Sequence, residues 1–205
     1  MRIKLCLPSA LLAALSITPA FPETLAIDPA RSVMTIRVLR SGLFSVFAHN
    51  HDIEARGLEG QVRTADNPAV VLRIETRNIK VLDAKLSPDD RAEVQETMEG
   101  PKVLDIKQFP EIRFQSTSVN EKAADKWEVT GNLTLHGQTR PVTVEVTGKA
   151  GGYTGEVSVL QRDFGIEPVS LFGGTVKVKN EVKIEFDIQT KPEQTVTETQ
   201  VGRTE

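Results

Sequence analysis

The sequence predicts an all-β fold of about eight strands, a sandwich or closed barrel, with one short α-helix inserted. Three observations carry this. Apolar and polar residues alternate with period two in segment after segment, which puts one face of each strand inside and the other in water. Turn-forming Gly, Pro, Asn and Asp residues punctuate these segments at regular spacing. A helix-start signal, Ser87-Pro88-Asp89-Asp90, occurs once.

The clearest alternation lies in residues 109–146. Ile112 and Phe114 alternate with Arg113 and Gln115. Val129, Leu133 and Leu135 alternate with Thr130, Asn132 and Thr134. Val142, Val144 and Val146 alternate with Thr143, Glu145 and Thr147. Residues 136–141, HGQTRP, supply turn chemistry between the last two strands: Gly137 tolerates a positive φ, and Pro141 suits the first position of an edge strand. A strand, a polar connection and a hairpin make an antiparallel meander, which the rest of the chain has to complete.

In chain order, Met34, Ile36 and Val38 form the apolar face of a strand at 33–39, and Ser41-Gly42 turns the chain. Residues 44–53, FSVFAHNHDI, alternate poorly and read as a strand that is buried on both faces or lines a ligand mouth. A short strand follows at 56–63. Val70, Leu72 and Ile74 face inward from a strand that continues toward Leu82. The helix covers 88–98, with Ser87 as N-cap, Pro88 first, aspartates in the first turn and Gly100-Pro101 as the stop. Its apolar positions are few, so it lies on the sheet. After the meander, Gly151-Gly152 turns the chain into a strand with Val157 and Val159 inward. Asp163 and Gly165 shape a turn in which Phe164 plugs one end of the fold. Residues 168–174 are a loop carrying Leu171 and Phe172. A closing hairpin around Lys179-Asn180 leads to a last strand with Ile184, Phe186 and Ile188 inward. This inward set is rich in Val, Ile and Leu and holds neither Trp nor Tyr. Alternation fits a filled core and a lined apolar cavity equally.

Composition narrows the function. Arg2 and Lys4, the apolar run from Leu5 to Ile17 and the small residues Thr18-Pro19-Ala20 have the layout of a secretory signal peptide, expected over 1–20. The run is too short to span a bilayer, and Cys6 precedes it, unlike a lipoprotein cysteine, so no stable membrane anchor is expected after cleavage. Cys6 is the only cysteine, so the expected mature chain has neither disulfide nor thiol nucleophile. One domain is expected over 24–191 and a disordered polar tail over 192–205. Removing Arg2 and Lys4 takes the formal charge from −3 to −5 with no basic stripe, which argues against nucleic acid as partner. No nucleophile elbow, phosphate loop or zinc spacing is present, so no enzyme activity is expected.

Four stretches in order, AIDPARSVMTIRV, KVLDIKQFPEIRFQSTSV, VTGNLTLHGQTRPVTVEV and QRDFGI, resemble the YceI-like family from about Ile27 to Ile188. The resemblance implies a lipocalin-like antiparallel β-barrel, exported and often periplasmic, that binds a long isoprenoid lipid: a polyprenyl phosphate or an isoprenoid quinone. It implies no further cofactor. Two departures bear on headgroup preference. Residues 41–60 hold two histidines where the family usually has one, and residues 90–94, DRAEV, lack the histidine of the usual Arg-Asp-X-His-Leu pattern.

Given that implied ligand, parity and loop position point to Phe44, Phe47, Ile74, Phe114, Leu133 and Phe172 as tail contacts, and to His49 and His51 near the headgroup. Two other readings stay open. His49 and His51 leave a strand on one face about 7 Å apart, a spacing that suits a metal or redox site, with His136 brought in by the fold. A filled barrel would instead serve as a protein-interaction module. Dimerisation with a second copy also stays open.

Overall fold

Alternating segments become strands, and interruptions of the alternation become bends within them. The structure is a computed structural model that describes residues 24–41, 51–65, 67–149, 151–171 and 176–191. It contains strands β1 (Thr24–Ala26), β2 (Val33–Ser41), β3 (His51–Arg56), β4 (Glu59–Arg63), β5 (Ala69–Glu75), β6 (Ile79–Val81), β7 (Glu111–Ala123), β8 (Lys126–Leu135), β9 (Gln138–Lys149), β10 (Gly152–Leu160), β11 (Ser170–Leu171) and β12 (Val176–Gln189), with helix α1 (Pro88–Glu99). Neighbours follow the order β1-β4-β5-β7-β8-β9-β10-β12-β2-β3-β6, with β11 beside β12.

The end strands of this path, β1 and β6, do not pair with each other among the described residues. The sheet is an open half-barrel, consistent with a lipocalin-like fold, and not the closed barrel of about eight strands expected from the sequence. The cause is two bends. Between β3 and β4, Gly57 takes a φ of 72° and Leu58 turns inside. Between β5 and β6, the 3₁₀ turn Thr76–Asn78 is pinned by buried Thr76. Its hydroxyl donates to the Phe109 carbonyl at 3.0 Å and its N–H to the Pro110 carbonyl at 2.9 Å. Each bend hands the chain to new neighbours: β3 pairs with β2 and β6, whereas β4 pairs with β1 and β5. The end of β1 is tied to the end of β12 by the Ile27–Thr190 bridge and by the Lys191 N–H donating to the Ala26 carbonyl at 2.8 Å.

Two local expectations change. The expected closing hairpin at Lys179-Asn180 is a register shift inside one long β12, between Val178 and Val182. The turn Gln161–Phe164 grips it: the Gln161 amide donates to the Lys179 carbonyl at 2.8 Å, and the Arg162 N–H donates to Asn180 Oδ1 at 3.0 Å. That turn ends on Gly165 at φ 73° with Phe164 fully buried, while Asp163 is exposed. The β8–β9 turn is only His136-Gly137, at φ 49° and 71°, the two-residue form whose twist matches the flanking strands. Pro141 therefore lies within β9, opposite Asn132. Ladder alternation from the Leu135–Gln138 pair points its nitrogen away from β8, and β10 meets β9 only at residues 145–149, so no ladder bond is lost.

Helix α1 begins as expected. Ser87 Oγ accepts from the Asp90 N–H at 3.2 Å and Pro88 opens the first turn. Gly100 stops it in an extended conformation, the region Pro101 imposes on its predecessor. Gln95 docks the helix on β6: its Oε1 accepts from the Val81 N–H at 2.8 Å and its Nε2 donates to the Ile79 carbonyl at 3.0 Å. A side-chain amide thus takes the place of a neighbouring strand.

Candidate functional site: an apolar cavity

The inward faces of the curled sheet line a cavity of about 320 Å³, near the lower end of the ~300–1,000 Å³ typical of small-molecule sites. Every inward residue expected from alternation lies on its wall, from Met34, Ile36 and Val38 on β2 to Ile184, Phe186 and Ile188 on β12. Ile53, Ile79 and Met98 on the helix side are buried, as is Val129 on β8, whereas Phe114 on β7 and Leu133 on β8 are only partly buried.

Small residues make room for rings in this wall. Phe114 lies over Gly131, and Phe186 lies over Gly155, which faces it across the β10–β12 ladder. A methyl group at either glycine would collide with the ring and with a backbone carbonyl. Trp127 and Tyr153 also line the cavity, packed edge to face at 6.1 Å, contrary to the expectation of a wall without Trp or Tyr. Both share the parity of their strands' inward residues, so extending the alternation back from Val129 and Val157 finds them. Val119 was missed for a different reason. A register shift between Ser116 and Ser118 switches the inward parity of β7 from even to odd.

Among the expected site residues, Ile74, Phe114 and Leu133 line the cavity. Phe44, Phe47, His49 and Phe172 lie outside the described residues, as does the side chain of His51. His136 ties two turns together: its Nδ1 lies 3.1 Å from the Phe164 carbonyl oxygen and its ring meets Phe109 edge to face at 4.7 Å. Among the described residues, no group of three or more His, Cys, Asp or Glu is placed to hold a metal.

Three arginines contribute to the wall. Arg73 and Arg113 have exposed side chains that pair with Glu59 and Glu111, and Arg63 donates its Nε–H to the Asn67 carbonyl at 2.8 Å. The hydrogen bond from Arg113 holds the Glu111 carboxyl below the usual carboxylate range. Burial alone would raise Glu99, at the end of α1, but hydrogen bonds from Gln95 and Lys80 outweigh it and hold the carboxyl below its ordinary value. Among the described residues the lining is mostly apolar, which suits burial of hydrocarbon.

The family model of the YceI-like domain matches residues 25–190. A UPF0312 protein of Pseudomonas putida (strain W619) is 38% identical over 74 residues, which is 31% of this chain and 38% of that protein. Protein YceI of Salmonella arizonae is 36% identical over 87 residues, 38% of this chain and 45% of that protein. The matched stretch thus spans less than half the length of these relatives. Among solved structures, BcnA of Burkholderia cenocepacia superposes with a TM-score of 0.62 at 19% identity, covering 79% of this chain and 98% of BcnA. A polyisoprenoid binding domain from Saccharophagus degradans, implicated in plant cell wall breakdown, gives 0.53 at 12% identity, covering 83% and 99%. These two share the fold.

Proposed function

The chain belongs to the YceI-like family, a family of non-catalytic proteins whose members are typically periplasmic or secreted, and on that premise we propose that it is an exported carrier that holds an isoprenoid lipid in its cavity. The observation that carries the reading is the cavity itself: space lined mostly by aliphatic and aromatic side chains, with Arg73 and Arg113 paired to glutamates. The polyisoprenoid binding domain with the same fold supports the ligand class. An isoprene unit has five carbons, so burying one contributes about 4 kcal/mol at ~0.8 per carbon. Two or three buried units give roughly 8–12 kcal/mol gross, enough to hold a lipid after the cost of immobilising it. A longer tail need not be enclosed throughout.

Export rests on the signal-peptide layout of residues 1–20, and the carrier domain on residues 24–191, followed by a polar tail. No helix among the described residues is long and apolar enough to cross a membrane. Ile74, Phe114 and Leu133 contact the tail in this reading, joined by Phe44, Phe47 and Phe172. Headgroups of both classes, polyprenyl phosphate and isoprenoid quinone, are candidates.

Equilibrium binding to delipidated protein tests the proposal. Saturable, one-to-one uptake of a polyprenyl phosphate or an isoprenoid quinone is expected, with Leu133→Asp abolishing it in a folded protein. Undiminished binding by folded Leu133→Asp and Phe114→Asp variants would show that the inward face does not hold the ligand.

A further inference from the structure

The two ends of the cavity differ. At the end bearing the His136-Gly137 turn, Phe164 and Ile166 are almost wholly buried, and Met98 covers the wall beside Val103 and Leu104. At the opposite end the wall includes two exposed residues of the β4–β5 turn, Thr64 and Pro68. There β7 also outruns its neighbour: its pairing with β5 ends at Gln115, yet it continues with β8 to Ala123. Val119 and Trp127 stand on this overhang and reach the cavity, and Tyr153 closes on Trp127 from β10. The Tyr153 ring packs over Gly148, where a Cβ would collide with it. Both rings are half-exposed, in a wall otherwise mostly aliphatic.

We infer that this overhang is the mouth of the cavity and that the polar head of the bound lipid rests against Trp127 and Tyr153, with the tail running toward Met98 and Leu104. The inference rests on the carrier reading and adds a direction to it. A buried tail gains most where the wall is dry and closed, and a polar head loses least where the wall opens to water. An aromatic pair suits the boundary between the two, because each ring joins an apolar body to a polar N–H or O–H. Headgroup contact at His51 would instead put the head near the far end of β2, since His51 pairs with Val38.

Trp127 is the only tryptophan of the chain, so it reports on its own surroundings. Trp127 and Leu135 lie eight residues apart on β8, which is about 26 Å at ~3.3 Å per residue. Ubiquinone-2, whose ring quenches indole emission at short range, is titrated into delipidated mature protein, and native mass spectrometry counts the quinone bound. The expected result is one quinone per chain with saturable quenching of more than half the emission. Moving the reporter to the other end, in Trp127→Phe/Leu104→Trp, is expected to reduce quenching at least fivefold. Independently, Trp127→Ala is expected to weaken ubiquinone-2 about tenfold while changing the affinity for phytane, a headless isoprenoid hydrocarbon, less than threefold. Bound quinone that leaves Trp127 emission unchanged, or equal losses for both ligands in Trp127→Ala, overturns the orientation and leaves the carrier intact. Failure to bind either ligand removes the carrier reading and the orientation with it.

Discussion

Substituting Val142→Phe separates an empty cavity from a filled core. Val142 is half-buried on β9, lines the cavity and pairs with Gly131, over which the Phe114 ring lies. Phenylalanine adds about four carbons, which at ~0.8 kcal/mol each is roughly 3 kcal/mol if all become buried. Val142 is only half covered, so about 1–2 kcal/mol is the expected gain in stability of the ligand-free protein. The added ring takes room worth nearly one isoprene unit, about 3 kcal/mol of tail burial, so affinity should fall by up to ~100-fold at 1.4 kcal/mol per decade. In a filled core the same change forces strain and destabilises by ~1–3 kcal/mol. Urea unfolding of delipidated protein and a binding titration read both quantities. A variant destabilised by more than ~1 kcal/mol that binds isoprenoid as before would refute the reasoning.

Further predictions concern the parts that shape the cavity. Gly131→Ala should displace Phe114 from its seat, with isoprenoid affinity changing at least as much as stability in parallel titrations. Ser32 is fully buried, and its Oγ accepts from the Gln189 N–H at 3.0 Å, so Ser32→Ala should cost about 1–3 kcal/mol in urea unfolding by orphaning that donor. Gln95→Ala removes both bonds to β6 and should cost about 2 kcal/mol, with faster exchange of the Val81 amide; unchanged exchange would contradict the docking role of Gln95. The Glu99 carboxyl is depressed in the folded state, so its stabilising effect is present above the ordinary carboxylate pKa and is lost as pH falls through the lower folded value. The partly exposed pair with Lys80 limits this to under ~1 kcal/mol, and Glu99→Gln should remove that part of the acid dependence of unfolding.

Much of the wall was legible because a strand's two faces differ whatever its neighbours are. Met34, Ile36 and Val38, or Val142, Val144 and Val146, face inward by parity alone. The helix was legible because Ser87 and Pro88 are local chemistry. What escaped depends on partners distant in sequence. The break at Thr76 is made by carbonyls of Phe109 and Pro110, more than thirty residues away. The shift at Lys179-Asn180 is held by Gln161 and Arg162 and looks like a hairpin turn until that turn is in place. Val119 escaped because the irregularity before it resets the parity on which the reading relies. The emptiness of the interior was not legible at all, since alternation says which way a side chain points and not whether it meets another.

The most direct test of the central claim is mass spectrometry of the mature protein purified from its exporting host, first native and then after organic extraction. An isoprenoid mass at about one per chain, released by the solvent, is the predicted result, and its value identifies head and tail length. Protein that leaves the host empty and takes up neither quinone nor polyprenyl phosphate afterwards would contradict the carrier account.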